Sequence, residues 1–264
     1  MQRPIYQIDA FTSELFRGNP AAVVPLDGPL PDRTLQSIAL ENNLSETAFL
    51  TPSPDADFHI RWFTPTMEVD LCGHATLAAA HVIWTELGRD TDTLRLSTRH
   101  AGELRVTRDQ DVIRLDLPAY PLSVGESSPM LERALHRRPE EVWEAGPKLL
   151  CVFANKRDIL DLAPDMGALR DLDAEGVIVT APGTKHDFVS RFFAPNAGVD
   201  EDPVCGSAHC ALTPYWAKRL GRDSLSAHQV SARGGELACE LHADRVTLSG
   251  KAVTYLQGVI KVPE

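Results

Sequence analysis

Apolar and β-branched residues run along this chain in short stretches bounded by Pro, Gly and Asp, a pattern of strands more than of long amphipathic helices. In the N-terminal half, residues 21–24, 58–63, 94–97 and 112–117 read as strands, and residues 177–180, 188–193 and 246–248 do so in the C-terminal half. One stretch differs. From Gly73 to Trp84 the chain favours helix and is apolar on nearly every face, which predicts a buried helix wrapped by the strands of its own half. Its mate begins at Gly206 and contains Pro214, which predicts a kink or an early end. Pro118, Pro121, Gly125 and Pro129 interrupt the pattern and divide the chain into residues 1–120 and 121–264, with the last strand free to return to the first half.

The two halves resemble each other in sequence. Asp57-Phe58-His59-Ile60-Arg61-Trp62-Phe63-Thr64-Pro65 aligns with Asp187-Phe188-Val189-Ser190-Arg191-Phe192-Phe193-Ala194-Pro195. Val69-Asp70 falls on Val199-Asp200 at the same spacing. Three additional residues, Glu201-Asp202-Pro203, then enter the second copy before Cys72-Gly73 meets Cys205-Gly206. Leu87-Gly88-Arg89-Asp90 and Gly102-Glu103-Leu104 recur as Leu220-Gly221-Arg222-Asp223 and Gly235-Glu236-Leu237. Four matches in order indicate an internal duplication.

Composition narrows the function. The 264 residues carry a net charge of -11, with acidic residues dispersed and no basic stripe interleaved with aromatics, which argues against a nucleic-acid partner. No apolar run reaches the roughly 20 residues of a membrane span, and the N-terminus shows no signal-peptide core, so a cytoplasmic protein away from the membrane is expected. The five cysteines form no CxxC pair, so reduced thiols and no metal site are expected.

The helix starts at Cys72-Gly73-His74 and Cys205-Gly206-Ser207 are the candidate chemistry. First-turn amides lack internal partners and carry the positive end of the helix dipole, so they stabilise anions. Two such starts, one from each half, are expected to form one site for a small carboxylate. The bland reading is a pair of tight strand-to-helix turns. Asp202, before the second start, reads by itself as an ordinary cap or dipole partner. Glu46 precedes a strand and aligns with Glu175 in the second copy, so residue pattern alone leaves it open between catalytic base and structural carboxylate.

The chain resembles the PhzF-like (phenazine-biosynthesis) proteins through Asp9-Ala10-Phe11-Thr12, Gly18-Asn19-Pro20-Ala21-Ala22-Val23-Val24, Leu44-Ser45-Glu46-Thr47, Cys72-Gly73-His74-Ala75-Thr76 and Asp200-Glu201-Asp202-Pro203-Val204-Cys205-Gly206-Ser207-Ala208-His209. The resemblance implies an α+β, diaminopimelate epimerase-like fold of two similar halves, each a mixed sheet or barrel curled around a central helix, and a homodimer. It implies a cofactor-independent isomerase with Glu46 as general acid and base, assisted by His74, Asp202 and Ser207. Asn19, Cys72, Gly73, Cys205 and Gly206 are placed against a small carboxylated substrate. Apolar neighbours such as Phe49 are expected to raise the Glu46 pKa toward neutrality.

Two alternatives remain open. Cys72 and Cys205 stand where related racemases carry an opposed pair of catalytic thiols, so a two-cysteine amino-acid racemase or epimerase is the chemical rival. A non-catalytic binding or interaction protein on the same scaffold is the third reading. Of the other histidines, His209 lies nearest the second helix start in sequence.

Overall fold

The computed structural model describes residues 1–263. The chain forms two compact units, Met1–Asp116 with the segment from Ser249 onward, and Leu117–Leu248.

The first unit opens with β1 (Gln2–Ala10), β2 (Asn19–Pro25), α1 (Asp32–Asn42), β3 (Glu46–Thr51), β4 (Phe58–Phe63) and β5 (Glu68–Val69). It continues through α2 (Gly73–Thr85), β6 (Thr93–Ser97), β7 (Glu103–Asp109) and β8 (Val112–Pro118). β2 and β3 run parallel, as do β4 and β6, while β1–β2, β3–β4, β4–β5, β6–β7 and β7–β8 are antiparallel. The C-terminal strand, Ala252–Lys261, pairs antiparallel with β1. Gly18 turns the chain into β2 at φ +64°. A Cβ there would sit 2.1 Å from the Ala10 carbonyl oxygen, so only glycine fits. α2 packs against β1, β2, β3 and the C-terminal strand. Every side chain from Gly73 to Trp84 is buried except that of His81, whose Nε2 lies 3.0 Å from Thr254 Oγ1 on the C-terminal strand. An all-apolar helix is stable only when enclosed in this way.

The second unit repeats this plan. β9 (Leu122–Val124), α3 (Pro129–Leu135), β10 (Glu141–Ala145), β11 (Lys148–Val152), α4 (Lys156–Leu160) and α5 (Met166–Arg170) lead to β12 (Gly176–Pro182) and β13 (Phe188–Ala194). A 3-10 turn at Pro195–Ala197, β14 (Val199–Asp202), α6 (Gly206–Leu220), β15 (Ser224–Gln229), β16 (Gly235–His242) and β17 (Arg245–Gly250) follow. β11–β12 and β13–β15 are parallel, and β12–β13 and β13–β14 antiparallel, matching the corresponding strands of the first unit.

Strand register corrects the alignment of the two copies. Trp62 pairs with Val69 in the first unit, whereas its counterpart Phe192 pairs with Asp202, so the three additional residues lie between Phe192 and Glu201, around the Pro195–Ala197 turn. Glu201 is therefore the counterpart of Glu68 rather than an insertion. Side chains agree with that equivalence. Arg61 grips Glu68 with two hydrogen bonds of 2.7 and 2.8 Å while its guanidinium lies 5.0 Å from the Phe63 ring; Arg191 grips Glu201 at 2.7 and 2.9 Å and lies 4.8 Å from Phe193. Only Asp202 is new, standing where the first copy has Val69.

Pro214 neither shortens α6 nor ends it; the helix runs through to Leu220. Proline leaves the carbonyl four residues earlier, that of Cys210, without its helical donor. The Tyr120 backbone N–H fills that place at 3.0 Å.

Candidate active site

At the first helix start, Cys72 is the N-cap residue of α2 in an extended conformation, and its carbonyl accepts from the Thr76 hydroxyl at 2.5 Å. Its sulfur does not cap the helix. It lies instead 3.5 Å from Nδ1 of His74, in the first turn of α2. Asn19, fully buried at the start of β2, donates its Nδ2 to the same ring nitrogen at 3.1 Å. With Nδ1 accepting, the neutral ring carries its proton on Nε2, which lies 3.2 Å from Glu46 Oε2, off the line of an ideal hydrogen bond. Burial holds the His74 pKa down at about 3, so the contact joins a neutral imidazole to the carboxyl group rather than an ion pair.

Glu46 is the first residue of β3; 16% of its side chain is exposed, while Oε2, the oxygen facing His74, is buried. Phe49 does not wall it in. Alternation along a strand sends Phe49 to the opposite face, into the cluster of Leu35 and Ala39 beneath α1, where it meets Phe63 edge-on. Register also removes Glu175 as the counterpart of Glu46. Thr47 pairs with Phe63 as Val177 pairs with Phe193, so Gly176 occupies the equivalent place. A Cβ at Gly176 would lie 2.7 Å from both the Phe192 ring and the Phe193 carbonyl, so the second copy has no room for a carboxylate there.

The second helix start has other contacts. The Cys205 sulfur caps α6, accepting from the Ala208 N–H at 3.4 Å, and lies 3.3 Å from the Ser207 hydroxyl. The Cys205 N–H donates to Gln229 Oε1 at 2.9 Å, and Gln229 Nε2 donates to the Asp202 carbonyl at 2.5 Å, so one buried amide ties β14 to the helix start. Asp202 Oδ1 accepts from the Val204 N–H at 3.2 Å. Burial and then the Asp202 charge raise the Cys205 pKa well above a normal thiol, outweighing Ser207, Lys148 and the Ala208 amide, which act the other way. Cys205 is therefore a protonated thiol at neutral pH. His209 lies wholly inside; its Nδ1 donates to the Cys205 carbonyl at 2.7 Å, and burial lowers its pKa to about 4. That bond fills the place of the Thr76–Cys72 bond in the first copy, which gives His209 a structural role.

Asn19, Glu46, Cys72, Gly73 and His74 thus meet in one unit, and Asp202, Cys205, Gly206 and Ser207 in the other. Two participants escaped the sequence reading. Gln229 offers no local signal. Lys148 offers one, as a charged residue opening the apolar run Lys148-Leu149-Leu150-Cys151-Val152. Its side chain is buried, 3.3 Å from Glu175 Oε2 and 5.0 Å from the Tyr120 ring. Burial opposes its charge, but the acidic groups around it, Glu175 among them, outweigh burial and raise its pKa.

Comparison with known proteins gives a consistent result. Residues 8–258 match the family described as phenazine biosynthesis-like protein. A Pseudomonas aeruginosa protein named as an uncharacterized isomerase is 51% identical over 99% of this chain and 100% of its own length. The crystal structure of a phenazine biosynthesis PhzF-family protein from Enterococcus faecalis is 44% identical, with a TM-score of 0.95 over 99% of this chain and 100% of that one. A hydroxyproline epimerase from Agrobacterium vitis shares the fold at a TM-score of 0.62 and 13% identity, covering 98% of this chain and 92% of its own.

Proposed function

The chain belongs to the phenazine biosynthesis-like family of isomerases, and we propose that it moves a proton between two carbons of a small carboxylated metabolite, with Glu46 as acid and base. The observation that carries this reading is the Glu46–His74 contact at 3.2 Å, with the ring held neutral by burial and fixed in tautomer by Asn19. In it, the Glu46 carboxylate takes a proton from one substrate carbon and, as the acid, returns it to another. No electron leaves the substrate, so the reaction class needs no redox cofactor. The His74 Nε2–H orients the Glu46 carboxylate, and the first-turn amides of α2 stabilise negative charge developing on the substrate. Asp202 and Ser207 assist, and Asn19 acts through His74 as a positioning residue. The homodimer is part of the same reading.

The test is transfer of deuterium from heavy water into substrate, screened over small carboxylated metabolites with wild type and Glu46→Gln. Undiminished exchange in the variant removes Glu46 from the chemistry. The same assay separates the alternatives. A two-cysteine mechanism needs Cys205 to ionise, which its buried place beside Asp202 opposes, and it predicts loss of exchange in Cys205→Ser. A scaffold that only binds predicts no exchange with any metabolite.

A further inference from the structure

The Cys72 thiol takes no part in the proton transfer assigned to Glu46. It sits 3.5 Å from His74 Nδ1, and one ligating atom from each of Glu46, Cys72 and His74 lies within 4.8 Å of the others. We propose that Glu46, Cys72 and His74 form a reversible, inhibitory binding site for a thiophilic divalent cation, foremost Zn2+.

The donor set is one thiol, one imidazole and one carboxyl group, each an ordinary zinc ligand. A tetrahedral zinc with bonds of about 2.3 Å to sulfur and about 2.0–2.1 Å to nitrogen spans about 3.5 Å between those two ligands, the separation already present between Cys72 and His74. Glu46 supplies the third position, its ligating oxygen lying in the same 4.8 Å cluster, and the fourth is left to water. The ligands stand on fixed elements: the first residue of β3, the N-cap residue of α2 and its first turn. On binding, the His74 Nδ1 lone pair turns from the Asn19 amide to the cation, and the thiol proton passes to solvent. Thiolate and carboxylate together cancel the two positive charges. The helix dipole opposes the cation with only about half a charge. Sulfur and imidazole select Zn2+ over Mg2+ or Ca2+. Among the described residues no second such set forms at Cys205, whose sulfur contacts Ser207 and the Ala208 amide. Inhibition follows because the cation takes Glu46; that consequence rests on the proposed acid–base role, whereas binding itself does not.

The experiment is competition for Zn2+ between chelator-stripped full-length protein and a chromophoric chelator, with Mg2+ as the control cation and circular dichroism to verify the fold of each variant. Expected are one equivalent of Zn2+ per chain, release of about one proton, and a sulfur-to-metal charge-transfer band with Co2+. Cys72→Ser should weaken binding by more than the roughly 10–100-fold lost on removing an outer-shell partner. Glu46→Gln should weaken it less, and Cys205→Ser should leave it unchanged. Absence of Zn2+ binding by wild type, or binding undiminished in folded Cys72→Ser, overturns the site. If Zn2+ binds through Cys72 and Glu46 but deuterium exchange continues at full rate, the acid–base role of Glu46 fails while the metal site stands.

Discussion

The two helix starts descend from one design and differ where chemistry is added. At α2 the cysteine sulfur is turned away from the helix amides toward a buried imidazole, and a carboxyl group lies 3.2 Å from Nε2 of that ring. At α6 the sulfur caps the helix, and the place equivalent to Glu46 is a glycine pressed against Phe192. The Arg61–Glu68 and Arg191–Glu201 pairs, by contrast, recur with the same two bonds and the same phenylalanine contact. What recurs holds the fold; what occurs once is the candidate for function. By that standard Glu46, His74 and Asp202 stand out, while Glu201, which linear alignment set among the three additional residues, becomes structural.

The largest expected effect comes from removing the group with no counterpart. Glu46→Gln should slow substrate deuterium exchange by about 10²–10⁴-fold, the range supplied by a positioned acid–base group; an equal loss in Cys205→Ser would make the two starts equivalent again.

Acid should expose the two buried histidines next. Both stay neutral in the folded state to about pH 3 (His74) and about pH 4 (His209), whereas the unfolded chain protonates them near 6.5. The unfolded state therefore binds more protons across that window, and stability falls as pH drops from about 6.5 toward 4. Each proton contributes a slope of about 1.4 kcal/mol per pH unit, roughly 3 kcal/mol for the pair. Urea titrations between pH 4 and 6 should show that slope shrink in His74→Gln and in His209→Gln alike. An unchanged slope in either contradicts its neutral, buried state.

Gly176→Ala tests why the second copy lacks a carboxylate. Its Cβ would meet both ring and backbone, at a cost of about 1–3 kcal/mol in thermal or urea unfolding. A neutral substitution would mean that the missing carboxylate reflects no steric exclusion.

The smallest difference should separate the repeated arginines. Arg191 also donates to the Ile159 and Leu162 carbonyls, whereas Arg61 adds an exposed bond to Asp32. Arg191→Ala should therefore cost about 1 kcal/mol more than Arg61→Ala, since it strands two buried carbonyls. Equal losses would show that those carbonyls find water.

Local pattern by itself determined a good deal. The strands at 58–63 and 188–193, the all-apolar helix at 73–84 and the duplication follow from side-chain periodicity and recurring short motifs, because burial on both faces or all round leaves a direct mark on residue type. Only the tertiary structure decided the equivalences on which function turns. Linear offsets could not say that Glu46 matches Gly176 or that the three additional residues precede Glu201, since a bulge or a longer turn shifts register without altering composition. Nor could they say that the Tyr120 N–H rescues the carbonyl freed by Pro214, or that His74 is neutral with its proton toward Glu46. Those facts depend on which groups from distant segments exclude water around one another, and a sequence records each group without its neighbours.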